Sequence, residues 1–376
     1  MGLLAVAAIS ARLLAEAAAR DGYAVAALDV FGDVDTCRAA SRWFAIGTPQ
    51  GLRIDPDRVL ETLTLLARRG DAIGWIAGGG LEAWPGMLAA GARLLPLFGT
   101  APEAVRRVRD PACFFDALAR LDVEAPAVRA TLPEPGRTGW LVKDAHGQGG
   151  WHVRRAASDG PAVLPEHHYA QQEVPGLAMS ATYLANGSDA IVLGFNEMIV
   201  RATGARPFVH AGTIGPVDLP ASAARRIVRA VRVLAREFEL RGLGSVDFML
   251  DGERTWVLEV NPRPSASIAH HARRPLVTAH LEACRDGVLP DWPLVPAPAV
   301  EGSEIVVAPH DCTLGDAVAR QLADDPRVHD VSCAGTRFAA GDPVCSIEAR
   351  GASAADVRTG LDAARKTIEK ILETCP

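Results

Sequence analysis

Aromatic residues are scarce in this 376-residue chain, at 5%, with only three Tyr. That scarcity argues against a stacking platform for single-stranded nucleic acid. An excess of positive charge is also missing. The 39 Lys and Arg face 45 Asp and Glu, for a net charge of −6. Nonspecific nucleic-acid binding runs on clustered cations, so no nucleic-acid partner is expected. The seven Cys, at positions 37, 113, 284, 312, 333, 345 and 375, are odd in number and form no CxxC pair. This pattern disfavours a disulfide framework or a zinc knuckle and points to a reducing, cytoplasmic setting. No apolar run reaches the roughly 20 residues that span a bilayer, so no membrane partner is expected. Met1 to Arg20 is apolar, but the run is short, Arg12 interrupts it and no basic segment precedes it. It reads as a buried strand and an amphipathic helix rather than a leader.

What is present is a full apolar core. Hydrophobic residues make up 49% and charged residues 22%, enough for two or three globular domains at this length. Leu3 to Ile9 reads as a strand, and Ser10 is placed to cap a helix carrying Leu13, Leu14, Ala17 and Ala18. Asp21-Gly22 stops that helix. Strands are expected at Tyr23–Leu28 and Ala72–Ala77, with a helix at Val59–Arg69 between them. Strands alternating with helices argue for an open parallel sheet, assigned to residues 1–100. Beyond it, short helices are expected at Pro102–Val108 and Pro111–Leu121. Trp140–Lys143 and Trp151–Arg154 flank a glycine-rich turn. Strands are expected around Ala181–Leu184 and Ala190–Phe195, a long helix at Ala221–Glu239, and a strand pair at Ser245–Leu250 and Thr255–Val260. Pro290 to Pro298 reads as a linker. Residues 303–376 read as two or three short strands and a closing helix at Ala354–Leu372.

The strand pair carries the strongest chemical signal, Gly244-Ser245-Val246-Asp247-Phe248 followed by Glu259-Val260-Asn261-Pro262-Arg263. Glu259 and Asn261 are two apart, so they share a face. An odd number of residues in the connecting loop would place Asp247 on that face, opposite Glu259. Two carboxylates and an amide oxygen make a hard-oxygen site suited to Mg2+ or Mn2+. Arg263 follows at once and would hold a transferring phosphoryl group or a substrate carboxylate. The plain alternative is an edge hairpin with its polar residues in solvent. A second signal is Lys143-Asp144-Ala145-His146-Gly147-Gln148-Gly149-Gly150. Glycines let backbone N–H groups approach phosphate oxygens, and Lys143 adds a point charge. A third is Gln171-Gln172-Glu173-Val174-Pro175-Gly176 leading to Ser180, a hinge suited to reading an adenine edge.

In this order, Lys before glycines, Gln-Glu-Val-Pro-Gly with Ser180, Asp247, then Glu-x-Asn-Pro-Arg, the chain resembles the ATP-grasp superfamily over about residues 100–290. It is similar to D-alanine–D-alanine ligase, biotin carboxylase and tyramine–glutamate ligase-like enzymes. Ser10-Ala11-Arg12, Asp29-Val30-Phe31-Gly32-Asp33, Gly335-Thr336-Arg337-Phe338 and Gly341-Asp342-Pro343-Val344-Cys345 resemble a carboligase-like branch. The resemblance implies a mixed α/β and α+β fold. A Rossmann-like domain would span 1–100, an ATP-grasp domain of two subdomains with ATP between them 101–295, and a small C-terminal segment 296–376. It implies ATP as cosubstrate with Mg2+. Lys143 would contact phosphates. Gly147, Gly149 and Gly150 would form a lid. Gln172, Glu173 and Val174 would meet adenine. Asp247, Glu259 and Asn261 would hold metal, and Arg263 would stabilise an acyl-phosphate transition state. Relatives carry a Lys where Pro111 stands here, so Arg106, Arg107 or Arg109 would substitute, or ATP would bind less tightly.

The implied reaction is ATP-dependent joining of a carboxylate to an amine, with ADP and phosphate as products. An amino acid such as glutamate is the expected partner, in the assembly of a one-carbon cofactor. Two rivals stand beside it: a bicarbonate-activating, carbamoyl-forming enzyme and a non-catalytic ATP-binding subunit. A homodimer is the base-rate expectation. Gly78-Gly79-Gly80-Leu81-Glu82-Ala83 fits a dinucleotide pattern but follows the third strand rather than the first, with no ribose acid some 20 residues on. It is read as a glycine turn lining the substrate cleft. The pairs His167-His168 and His270-His271 lack zinc spacing and read as solvated or cleft-lining. The Arg-rich helix face at 225–232 reads as solvated.

Overall fold

The computed structural model describes residues 2–48, 52–132, 138–157, 163–294 and 299–375. Its first unit is a five-stranded parallel sheet. Strands β1 (Leu3–Ala7), β2 (Ala24–Asp29), β3 (Arg42–Ala45), β4 (Ala72–Ala77) and β5 (Leu97–Phe98) lie in the order β3-β2-β1-β4-β5. Helices α1 (Arg12–Arg20), α2 (Val34–Ala39), α3 (Pro56–Arg69) and α4 (Pro85–Leu94) connect them. Helix α3 shows why parts of this unit were legible. Asp55 accepts from the N–H groups of Asp57 and Arg58, Pro56 opens the helix, and Gly70 closes it in the left-handed region (φ 69°), each a local stop or start signal. Helices α2 and α4 and strand β3 lack such periodicity and were not anticipated. Ser10 does not cap α1. The N-cap is Ala11, whose N–H goes to Asp29 Oδ2 at 3.1 Å, while Ser10 faces Asp330. A carboxylate from the neighbouring strand end has taken the capping role.

Helices α5 (Pro102–Arg109) and α6 (Pro111–Arg120) lead into a four-stranded sheet, ordered β8-β7-β9-β6. Its members are β6 (Val128–Arg129), β7 (Trp140–Asp144), β8 (Arg154–Arg155) and β9 (His168–Gln172). The main body is an eight-stranded antiparallel sheet. It is built from β10 (Leu177–Asn186), β11 (Ala190–Thr203), β12 (Arg206–Val217), β13 (Arg241–Asp251), β14 (Arg254–Asn261), β15 (Val300–Val307), β16 (Val328–His329) and β17 (Pro343–Gly351). The order is β14-β13-β10-β11-β12-β15-β17-β16. Helix α7 (Ala221–Glu237) packs on one face through Ile227, Val231 and Leu234, all buried. Each such side chain contributes roughly 1.5–3 kcal/mol of burial free energy. Arg225, Arg226, Arg229 and Arg232 stay exposed on its outer side, as expected.

The other face of the sheet meets helix α8 (Leu276–Arg285) and the first unit. Leu4, Val6 and Leu14 share one core with Leu184, Leu193, Leu243, Val277 and Leu281. The C-terminal segment was expected to hold two or three short strands, but two of its strands are long. β15 runs eight residues and β17 nine, and they extend the large sheet from the edge of β12. Helices α9 (Asp316–Asp324) and α10 (Ala354–Leu372) cover that extension. Strand β12 was also not anticipated: its glycines and prolines hide the alternation. Of the expected linker, residues 290–294 carry no helix or strand, and 295–298 lie outside the described residues. No described helix is long and apolar enough to cross a membrane.

Candidate active site

The site begins with the register of β13 on β14. Their turn holds two residues, Gly252 and Glu253, between the paired Asp251 and Arg254. An even turn would set Asp247 opposite Leu258 and leave Glu259 on the other face. A β-bulge after Asp247 corrects this. Phe248 pairs with Val257, Leu258 is the extra residue, and Asp247 comes to face Glu259, with Ser245 facing Asn261. The condition posed by the sequence is met by a bulge rather than by the loop.

Asp247 and Asn261 are buried, at 7% and 8% exposure. Asn261 donates to Asp247 Oδ2 at 2.9 Å and to Ser245 Oγ at 3.3 Å. Burial, and then repulsion from Glu259, push the Asp247 carboxyl up to about 7. Burial also acts upward on Glu259, yet Lys143, Arg109, His152 and Arg263 together hold it below the usual range. The two facing carboxyls thus favour holding a proton between them, with Asp247 the stronger holder and Glu259 the weaker. Among the described residues no third His, Cys, Asp or Glu joins them. A magnesium ion fits the two carboxylates, which would hold it with water and phosphate oxygens. Asn261 presents its amide nitrogen to Asp247 and its oxygen to Arg263, so it would join as a ligand through that same oxygen.

The cations converge from three elements. Lys143, next to the last residue of β7, is 7% exposed and donates to Gln171 Oε1 at 3.1 Å. Arg109 closes α5 and donates to the carbonyls of Ala145 and Gly147 at 2.7 and 2.9 Å. Of the three arginines considered for the position that Pro111 vacates, Arg109 is the one that lines a pocket with Glu259 and whose charge bears on it. Arg106 pairs with Glu103 in solvent, and Arg107 lies over the Phe238 ring. Arg263 donates to Glu82 Oε1 at 2.9 Å and to Asn261 Oδ1 at 3.3 Å.

The glycine loop is folded down on β12. The His210 N–H donates to the Gly149 carbonyl at 2.9 Å. Arg206 lies over the Trp151 ring, and Arg155 over that of Phe208. The glycines differ in what they allow. A Cβ on Gly150 would stand 1.8 Å from the Phe208 carbonyl oxygen, and one on Gly147 would stand 2.1 Å from the His152 ring. Gly149 meets only the Trp151 side chain, at 3.2 Å. Among the described residues, no acceptor takes the N–H of Gly149 or Gly150. His152 and Glu259 line one open pocket with Arg109, Asp144 and Tyr169, and the His152 Nδ1 is buried without a partner.

The hinge residues are not all drawn in. Gln172 is exposed, and its N–H goes to Ala127 at 2.8 Å. Glu173 pairs with Arg155 at 2.8 Å, while Val174 is half-buried beside it. It is Gln171, 1% exposed, that points inward. Of the histidine pairs, His167 is exposed as expected, while His270 and His271 are drawn inward. His271 is buried at 6% exposure and His270 bonds Thr213 at 2.9 Å, so neither is solvated. His167 stacks on His146 with centroids 4.3 Å apart. The glycine turn at 78–80 follows β4, the fourth strand of the parallel sheet in chain order, because β3 precedes it. Glu82 and Gln171 sat inside quoted motifs, and His152 in the segment that leaves the glycine turn. Their roles depend on contacts between elements, which spacing does not carry.

Residues 108–267 match the family model of the ATP-grasp domain. This stretch is an ATP-grasp domain. The large chain of carbamoyl phosphate synthase from Thermus thermophilus is 28% identical over 212 residues, covering 50% of this chain and 20% of that one. The Deinococcus deserti chain is 28% identical over 193 residues, covering 46% and 19%. The protein thus spans about a fifth of the length of the curated relatives it matches. An L-amino acid ligase from Bacillus licheniformis superposes with a TM-score of 0.69 at 16% identity, covering 98% of this chain and 97% of that one. The biotin carboxylase domain of a single-chain bacterial carboxylase gives 0.70 at 19% identity, over 98% and 88%. These likenesses establish the ATP-grasp fold along the chain.

Proposed function

We propose that the protein is an ATP-dependent carboxylate–amine ligase working through an acyl phosphate. The observation that carries this reading is the facing pair of buried Asp247 and half-buried Glu259, set on one face by the bulge, with the charges of Lys143, Arg109 and Arg263 bearing on it. Two facing carboxyls relieve their repulsion by holding a proton or a cation between them. Asp247, Glu259 and Asn261 would hold magnesium, which supplies charge neutralisation between phosphate oxygens when bound. Lys143 and Arg109 would orient the nucleotide phosphates. Arg263 would hold the substrate carboxylate as it attacks the γ-phosphoryl group and would spread the charge that develops. An amine then displaces phosphate, leaving an amide, ADP and phosphate. The glycine loop, closed on β12, would shield the acyl phosphate from water.

Likeness to an L-amino acid ligase over nearly the full length of both chains supports an amino acid, such as glutamate, as one substrate. The carbamoyl phosphate synthase relatives support a second reading, with bicarbonate as the activated carboxylate. ADP release from Mg-ATP, measured with amino acids, amines and bicarbonate in turn, separates the two. Release requiring a carboxylate plus an amine, and lost in Glu259→Ala, is the expected result. Release driven by bicarbonate alone would establish the second reading. Tight ATP binding with no release from any mixture would overturn both.

A further inference from the structure

The turn Gly78-Gly79-Gly80-Leu81-Glu82 has no part in the reading above. It joins β4 to α4, yet it lies against Arg263 of the ATP-grasp domain. The Glu82 side chain is 2% exposed. Its Oε1 accepts from Arg263 Nε at 2.9 Å and its Oε2 from the Gly80 N–H at 2.8 Å. On the far side of the guanidinium, Asn261 Oδ1 accepts at 3.3 Å and the Pro264 carbonyl at 3.4 Å. A Cβ on Gly79 would stand 3.7 Å from the Arg263 guanidinium carbon, so any larger side chain at 79 would cover that face.

We propose that Glu82 is a positioning residue for Arg263, and that the first domain thereby completes the reaction centre. An arginine with free rotors beside Asp247 and Glu259 would swing onto them and neutralise the pair that a cation needs. Glu82 ties the Nε edge and Asn261 ties a terminal nitrogen, which fixes the guanidinium plane. Glycine at 79 leaves its face open to a carboxylate arriving through the cleft. Stability alone is a weak reason for this pair, since burying two charges costs about what their attraction returns. The inference rests on the role of Arg263 proposed above.

The test uses Glu82→Gln, which keeps shape and removes charge, in the full-length protein. With Mg-ATP and a mixture of the standard L-amino acids, kcat for ADP release is expected to fall about tenfold or more, while the Kd for Mg-ATP stays within about twofold. In an Arg263→Lys background the same change is expected to cost nothing further, because coupled residues are non-additive. Equal losses in both backgrounds would overturn the proposal, as would an unchanged kcat. A second readout needs no turnover. The Nε–H signal of Arg263, assigned by its loss in Arg263→Lys, is expected to shift and to exchange faster in Glu82→Gln, because a charge-assisted bond is about twice as strong as a neutral one. An unmoved signal would overturn the proposal even if no mixture releases ADP; a moved signal with no ADP release would sink the ligase reading and leave Glu82 holding Arg263.

Discussion

Arg109 and His280 show how much a single side chain can decide. Three arginines crowd the end of α5, and only the packing of that helix selects the one that turns inward. Sequence could name the set of Arg106, Arg107 and Arg109 but not choose among them. Arg109→Ala is expected to raise the Kd for Mg-ATP by about tenfold, the worth of one charge-assisted contact. Arg106→Ala, whose partner Glu103 is solvent-exposed, is expected to leave it within about twofold. Titration calorimetry checks both. His280 is 1% exposed, accepts from the Leu243 N–H at Nδ1, and bonds the Phe98 carbonyl through Nε2. Burial holds it down to about 4. Protonation costs the Leu243 bond, so the folded state refuses a proton that the unfolded chain accepts near 6.5. Its stability contribution is complete above about pH 6.5 and is lost as pH falls towards 4, by at most about 3 kcal/mol. Urea unfolding across that range should show the gap between wild type and His280→Asn shrinking as pH falls.

At the scale of elements, the bulge and the loop carry the chemistry. Asp247, Glu259, Asn261 and Arg263 were all legible as one cluster, because two-residue spacing on a strand is geometry written in sequence. The bulge at Leu258 was not legible, since an extra residue in a ladder leaves no mark on composition. The hinge was half legible: Gln-Gln-Glu-Val was seen, but strand alternation turns Gln171 inward and Gln172 out. The glycine loop was found, although its residues divide by contact rather than by phosphate approach alone. Gly150→Ala would drive a methyl group into the Phe208 carbonyl at a backbone φ of 74°. Docking on β12 is expected to fail, and the His210 amide, now bonded to Gly149, to exchange its hydrogen at least about tenfold faster. Gly149→Ala meets no backbone atom and should change that rate less. Hydrogen-exchange mass spectrometry separates the two outcomes.

For the whole molecule, the parallel first sheet was foreseen from alternation, whereas the central antiparallel sheet was foreseen only as separate strands and one strand pair. The continuity of the large sheet beyond residue 296 was not, because strand partners far apart in sequence carry no local signature. We propose the division at 296 only as a change of chain segment; strands β15, β17 and β16 prolong the sheet across it. A chain ending at residue 294 would bare the β12 edge and the apolar side chains of Ile199, Ala211 and Ile214, which pack against that extension. Such an edge invites pairing between molecules. The truncated chain is expected to aggregate on size-exclusion chromatography; a monomer that binds Mg-ATP would contradict this. The tie between Glu82 and Arg263 spans 181 residues, and this orders events during synthesis. The carboxylate emerges from the ribosome first and waits for its partner for roughly 10–40 s at about 5–20 residues per second. Through that interval Glu82 can keep its charge only in contact with water, so this corner of the first domain is the last part of it to close.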